Sequence, residues 1–521
     1  MTQHSNVFIV GAGPSGLTLA NLLALYGISF RIIDRYPSPL VLSKAAAIQA
    51  RSVEVFDAIG IADKMLAESN LVKILTLRTL HRDTIRLDFS KLEHTSYPYI
   101  TLIPQYRTEE LLIERLDEQG IEIERNKVMT DFTHHESGVT IEIQDAEGRV
   151  ETATATYLVG ADGAKSTVRR LLGFDFVGDN YVDPWVLFDA ELEWDIPRNE
   201  MTFSSSDDGI YGVFPLPGEN SYRVAYTQNH DSDGNPIEPT FEEAQDMMKV
   251  VGVDGKIINM LSKFWIFNLQ HRQVDDYRHG NVILLGDAAH IHTPFGGQGL
   301  NLGVTDAFNL GWKLAMVVKG QAPEKLLDTY KEERHPIGQQ VVRSTHIGAS
   351  SMLLRKPSFK RSIREIVMPV LNMLAPAKKR LIHNMSQLAH NYKNSRIVSG
   401  SDGNLSAGER LPNMVFVDGI DNSEKDLYSL LDSRYHTLFL VGDDIGRLSE
   451  MAKAVAIDDK LSVVIISKKA GNSDFPLAFD SQEMLPLRNN AVYLIRPDRM
   501  IGAIDVADNV LSNVERWLSY R

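Results

Sequence analysis

"VFIVGAGPSGLTLA", residues 7–20, can be read almost atom by atom. "NVFIV" is an apolar run of strand type, "PSGLTLANLLALYG" carries the apolar period of a helix that ends on glycine, and "ISFRIID" is a second strand. Together they make a βαβ unit. Gly11, Gly13 and Gly16 fall on G-x-G-x-x-G. In that turn the first glycine permits the bend, the second lets a pyrophosphate approach the backbone, and the third brings helix and strand into contact. Asp34, at the end of the second strand, is placed to accept hydrogen bonds from a ribose. The pattern predicts an adenine dinucleotide and leaves NAD and FAD open, because both carry the ADP half.

Two more stretches repeat strand, acidic glycine turn and helix: "YLVGADGAKSTVRRLLG" at 157–173 and "VILLGDAAHIHTPFGGQGLNLG" at 282–303. Either the chain binds two nucleotides or one ligand is gripped from both ends of the sequence. Between the loops, "RSVEVFDAIG" and "RTEELLIERLDEQG" read as helices, and "KILTLRTL" and "YPYITLI" as extended pieces. Residues 177–276 alternate apolar and polar positions, as in "WVLFDAELEW", "IYGVFPLP" and "SYRVAYTQ", which predicts an inserted antiparallel sheet forming one wall of a pocket. Helical pattern follows to about Leu388, broken by prolines at 336, 357, 369 and 376. Its basic part, 355–380, is open to two readings, a membrane-surface helix or a solvated face; no Trp or Phe cluster accompanies the charges, which favours the second. "SGSDGNLSAGERLPN", 399–413, reads as a linker. The tail beyond it alternates strands and helices in a thioredoxin-like pattern.

The expected fold is therefore α/β: a Rossmann-like dinucleotide domain from 1–176 with 277–398, an antiparallel-sheet substrate domain at 177–276, and a thioredoxin-like α/β domain at 399–521. A chain of 521 residues is long enough for several such units, and its 43% apolar content supports large cores. The net charge of −14 argues against nucleic acid as a partner. There is no cysteine, which excludes disulfides, thiolate metal sites and a dithiol relay, so electrons must move through a bound cofactor. No metal site is expected. Only six residues precede the first strand and no apolar run is long enough to span a bilayer, so a cytoplasmic protein is expected.

Taken together, "GAGPSG", "GADG" and "GDAAH" resemble the three fingerprints of the single-component flavoprotein hydroxylases, the FAD- and NAD(P)H-dependent aromatic and polyketide monooxygenases. The resemblance extends to "PQYRTEELL", "GERLPN" and "YLIRPDRMIGAI", the last two belonging to members with a redox-inactive thioredoxin-like tail. It implies that one FAD is held from both ends: by Gly11, Gly13, Gly16, Asp34 and Arg35 at the ADP end, and by Asp287, Gly297, Leu300 and Asn301 at the flavin end. Gln105 would reach the ribityl chain and Asp162 the pyrophosphate or ribityl region. For Asp162 and Asp287 the alternative is a turn-capping acid. Asp287 is expected at the buried flavin end and Asp34 at a more exposed ribose. Lys44 stands where many relatives have arginine, and lysine cannot make a bidentate planar contact. Arg51 matches the family arginine or else is an ion-pair partner.

The same resemblance implies the chemistry. NAD(P)H, with NADPH favoured, reduces FAD, O2 forms a flavin C4a-hydroperoxide, and an oxygen atom passes to an activated ring carbon of a phenolic or polyketide-type substrate. The expected partners are this small aromatic molecule and O2, with a homodimer left open. No residue in the sequence identifies itself as the one that assists phenol deprotonation. Tyr211, Arg223 and His292 are pocket candidates by position, each with a packing role as alternative, and Pro294 would border the reactive face; His290 reads as structural. A flavin-dependent halogenase or oxidase and a non-catalytic flavin-binding protein are the competing readings. "LEWDIP", 192–197, matches only the second half of a halogenase motif and reads as a strand end. The tail, lacking a redox pair, is expected to be dispensable for chemistry.

Overall fold

The strand His4–Val10 lies between Val150–Gly160 and Phe30–Ile33, parallel to both, and Val282–Leu284 follows Val150–Gly160, parallel again. Val7, Phe8 and Ile9 have no exposed surface, the condition of an apolar strand covered on both faces. Arg278–His279 closes one edge, and the hairpin Lys127–His135 with Gly138–Asp145 pairs with the first half of Val150–Gly160 on the side away from His4–Val10. Helix Pro14–Leu25 begins with proline in its first turn, where the missing N–H is not needed, and packs beside helix Gly299–Val318. This is the expected Rossmann-like α/β domain. The structure, a computed structural model, describes residues 4–520 except 42–44, 80–81, 206–208, 234, 251–254, 294–295, 353–373, 419, 422, 457–460, 481 and 483.

The second sheet has nine strands and is wider than the stretch 177–276. In order it runs His290–Ile291, Trp265–Gln273, Val177–Glu193, Ser221–Thr227, Ile210–Pro215, Glu200–Ser205, Ile74–Thr79 and Arg82–Asp88, with Lys256–Met260 paired to Val177–Glu193. It therefore draws strands from the chain before and after the expected insert. It is also not purely antiparallel, since Glu200–Ser205 and Ile74–Thr79 run parallel. The helix Phe241–Val250 covers one face, with its Ala244 and Met248 packed over Phe188, Tyr211 and Tyr226. The other face, with Trp185, Leu187, Phe203 and Ala225, packs on Ala50, Leu102 and Leu388 of the dinucleotide side.

The tail forms a five-stranded sheet in the order Leu477–Phe479, Leu461–Ser467, His436–Val441, Ala491–Ile495 and Ile501–Val506. The first three run parallel and the last two antiparallel to their neighbours. Helices Ile445–Val455 and Val510–Ser519 pack on it. Among the described residues no helix is long and apolar enough to cross a membrane, and no group of His, Asp and Glu could hold a metal ion. Most of the basic segment 355–380 lies outside the described residues.

Candidate active site

The three glycine turns meet. Gly11 has φ +107°, and a Cβ there would overlap the carbonyl of Ala161 and lie 2.9 Å from Cα of Asp162. The first and middle fingerprints are thus in backbone contact. A Cβ on Gly303 would overlap the Ser15 hydroxyl and lie 3.2 Å from Cα of Gly286, which joins the first fingerprint to the last. Gly13 differs from both. Its φ is −82° and a Cβ there would meet no atom of the described residues within 4 Å.

At the first turn, Asp34 Oδ2 accepts from the Ala12 N–H at 2.7 Å and Oδ1 from the Tyr36 N–H at 2.8 Å, with Arg125 3.8 Å away. The side chain is 13% exposed. Gln105 opens the helix Gln105–Asp117 and donates from Nε2 to Glu109 Oε1 at 2.8 Å. Burial pushes the Glu109 carboxyl up to about 7, against the Gln105 hydrogen bond and with the Asp34 charge adding to the rise. Sequence reading missed Glu109, although its place one helical turn after Gln105 was the available signal.

At the last turn, the helix Gly299–Val318 has no side-chain cap, so the N–H groups of its first turn point out of the helix end without one. The Asn301 side chain is buried and works as a latch: Oδ1 accepts from the Gln49 N–H at 2.7 Å, and Nδ2 donates to the carbonyls of Ala47 at 2.8 Å and Gly297 at 2.5 Å. Gly297 and Leu300 are half-buried beside it. A Cβ on Gly297, which has φ +65°, would come 2.8 Å from that of Ala47.

A family model described as "FAD binding domain" matches residues 4–345. The chain is 33% identical to 6-methylpretetramide 4-monooxygenase of Streptomyces rimosus over 95% of its own length and 90% of the relative's. It is 33% identical to pentachlorophenol 4-monooxygenase of Sphingobium chlorophenolicum over 78% and 75%. The solved structure of the OxyS anhydrotetracycline hydroxylase from Streptomyces rimosus superposes with a TM-score of 0.79 at 31% identity, covering 99% of this chain and 98% of that one. The chain belongs to the FAD-dependent aromatic monooxygenases.

The residues of this monooxygenase fit FAD. The open space at Gly13 admits a diphosphate to the backbone, Asp34 stands beside it, and the uncapped turn at Gly299 suits the acceptor edge of a flavin. Other expectations meet different surroundings. Asp287 is exposed at the last turn, and Asp34 is largely covered by the backbone N–H groups that it accepts from. Asp162 accepts from Ser166 Oγ at 2.5 Å and the Thr167 N–H at 2.6 Å, the contacts of a helix-capping acid. Arg51 is 6% exposed and bonded to Glu54 at 2.8 Å and to the Asp498 carbonyl of the tail at 2.6 Å, so its guanidinium serves as the ion-pair partner. Arg35 is exposed. Lys44 and Pro294 lie outside the described residues.

On the sheet, Tyr211 is not a pocket residue of the monooxygenase. It is buried under the helix Phe241–Val250 with its ring stacked on Tyr226 at 6.3 Å, because successive strand residues alternate faces and Tyr211 takes the far one. Trp194 and Leu192 of "LEWDIP" pack on that far face too. Arg223 does face inward. It grips Asp189 through two hydrogen bonds of 2.8 and 3.0 Å and donates to the Ala45 carbonyl at 3.1 Å, tying the sheet to the chain just before the flavin-side latch. Around it the inward wall is aromatic, with Phe203 edge-on to Phe214 at 5.1 Å and Trp185 beside Phe267. Trp185 Nε1 is buried on this wall without a hydrogen-bond partner.

Proposed function

We propose that this aromatic monooxygenase hydroxylates a phenolic, polycyclic substrate of polyketide type, with NADPH as reductant and O2 as the oxygen source. The observation that carries the reading is the wall of Trp185, Phe203, Phe214 and Phe267 on the sheet face that packs against the dinucleotide side. Flat apolar rings gain most from such a wall, and an unpaired indole N–H on it favours a ligand oxygen. Likeness over nearly the whole chain to a protein titled an anhydrotetracycline hydroxylase supports the same class.

Bound FAD supplies the exchange of electrons with NADPH and the activation of O2. The chain's own residues do the rest. Gly13 and Asp34 receive the ADP half, Gln105 and Asp287 the ribityl chain, and the first turn at Gly299, Leu300 and Asn301 the flavin edge. Asn301 and Arg223 hold the 45–49 segment between sheet and flavin end, and the aromatic wall orients the substrate and excludes water.

The reading includes three parts, a flavin domain built from 1–176 with 277–398, a substrate sheet centred on 177–276, and a tail from 399. The strand order of the tail supports a thioredoxin-like module, redox-inert without cysteine. A cytoplasmic enzyme, active as monomer or homodimer, completes it. Screening phenols, naphthoquinones and polycyclic phenols for stimulated NADPH oxidation under labelled O2 tests the proposal. One labelled oxygen atom in the product is expected. NADPH oxidation that no ligand alters, with hydrogen peroxide as sole product, would overturn it.

A further inference from the structure

His292 follows the last fingerprint, and the residue is 8% exposed. Nδ1 lies 3.0 Å from the carbonyl of Thr293. A carbonyl can only accept, so Nδ1 carries the hydrogen and Nε2 is left with a bare lone pair. That Nε2 is buried and has no hydrogen-bond partner among the described residues. Its surroundings give it a direction. A Cβ on Gly299, the first residue of the uncapped helix, would lie 3.6 Å from Cε1 and 3.9 Å from Nε2 of the ring. An orphaned acceptor therefore stands beside the turn of backbone N–H donors that receives the flavin end of the cofactor. Left unpaired it weakens the fold, and a bound ligand with an N–H or O–H removes the penalty.

We infer that His292 Nε2 accepts a hydrogen bond from the ring hydroxyl of the phenolic substrate and so fixes which edge of the ring is held at the flavin end. The inference rests on the hydroxylase reading above. A hydroxyl fits this acceptor, since its O–H donates to the imidazole and its oxygen needs no second partner from the helix. The group acts as an acceptor and not as a base. Burial holds the imidazole at about 4, with the neighbouring His290 pushing the same way and Asp306 and the Thr293 carbonyl opposing, so the proton of a phenol stays on its oxygen. His292 is thus a specificity residue: it distinguishes a free hydroxyl from the same ring with that oxygen capped. The imide N–H of the flavin is the other donor of the same chemistry.

The test uses the FAD-loaded enzyme, a phenol that perturbs its flavin spectrum, and the methyl ether of that phenol. Wild type should bind the phenol about tenfold more tightly than the ether, the effect of one buried hydrogen bond. His292→Leu should bind the ether as wild type does and lose the preference. His292→Gln, whose amide oxygen can accept at similar reach, should restore part of it. The FAD dissociation constant, read from the fluorescence of released flavin, should stay unchanged in both variants. An unaltered phenol preference in His292→Leu overturns the inference, as does loss of FAD with the preference kept, which would assign the lone pair to the flavin imide. If no phenol perturbs the wild-type flavin, the hydroxylase reading itself fails and the inference with it.

Discussion

Glu333 accepts from Lys313 at 2.7 Å and from two nitrogens of Arg496 at 2.7 and 2.8 Å, and none of the three side chains is exposed. Burial alone would raise the carboxyl, but the Arg496 and Lys313 charges hold it below the usual carboxylate range. Removing the acid leaves Lys313 in the interior without an anion in contact, and Arg496 with Asp498 alone. Glu333→Ala should therefore lose about 3–5 kcal/mol of stability, read as a shift of the urea midpoint at unchanged slope. A shift corresponding to less than about 1 kcal/mol, as for an exposed pair, would show that the cluster is solvated. The buried histidines give a second prediction. Burial lowers His292 to about 4 and His436 to about 3, against 6.5 in an open chain. As pH falls from about 6.5 toward 4, the unfolded chain takes up protons that the folded chain refuses, so stability falls through that window at about 1.4 kcal/mol per unit per group. Carboxylates contribute to the same trend, so the readout is the difference made by a variant. His436→Phe, beside Trp312 and Tyr520, should flatten the pH dependence of the urea midpoint, and an unchanged slope would mean that His436 titrates normally.

Glycines within one turn answer to different forces, and the elements can be tested through them. A methyl on Gly13 meets no atom of the described residues, whereas one on Gly11 overlaps Ala161 in a backbone conformation that side chains rarely adopt. Gly13→Ala should keep its melting temperature without cofactor and yet hold FAD about tenfold or more less tightly, because the methyl enters the space that a diphosphate needs. Gly11→Ala should lose stability whether or not FAD is present. Equal melting and equal flavin content in the two variants would show that the turn does not cradle the cofactor. These turns were legible in the sequence because everything that specifies them lies within about 20 residues. The wall of the substrate side was legible only as strands. Period-2 alternation tells inward from outward when one face is wet, and Ile210–Pro215 is covered on both. Nothing local therefore showed that Tyr211 faces the helix Phe241–Val250. Likewise Asn301 and Arg223 find their partners 252 and 178 residues away, at Gln49 and Ala45.

At the scale of the whole molecule, the sequence separates the tail from the chemistry more cleanly than the structure does. The Gly- and Ser-rich stretch 399–413 has a linker's composition, yet its backbone is clamped: Ser399 bonds Gly502, Gly408 bonds Ile501, and Leu411 bonds Arg499. This stretch and the tail beyond it reach back into the flavin domain through ion pairs, most of whose side chains are buried. Arg410 pairs with Glu54 at 3.0 Å, Arg499 with Asp57 at 2.7 Å, and Arg496 completes the Glu333 cluster. Trp312, on the helix that begins at Gly299, packs against His436 and Tyr520 with ring centroids 5.2 and 5.6 Å away. Local composition cannot report such contacts, because each joins residues far apart in the sequence. A chain ending at residue 407 would expose Trp312 to water, worth about 1.5–3 kcal/mol when buried, and would leave Lys313 and Glu333 without their capping arginine. We expect that chain to aggregate or melt well below the full protein and to bind FAD weakly. The cause would be distortion of the Gly299–Val318 helix, since the tail lacks a redox pair of its own. Supplying residues 408–521 as a separate polypeptide should recover solubility and FAD binding together. If the shortened chain instead stays monomeric, melts within a few degrees of the full protein and binds FAD as tightly, the buried charges between tail and flavin domain contribute nothing to holding the flavin helix.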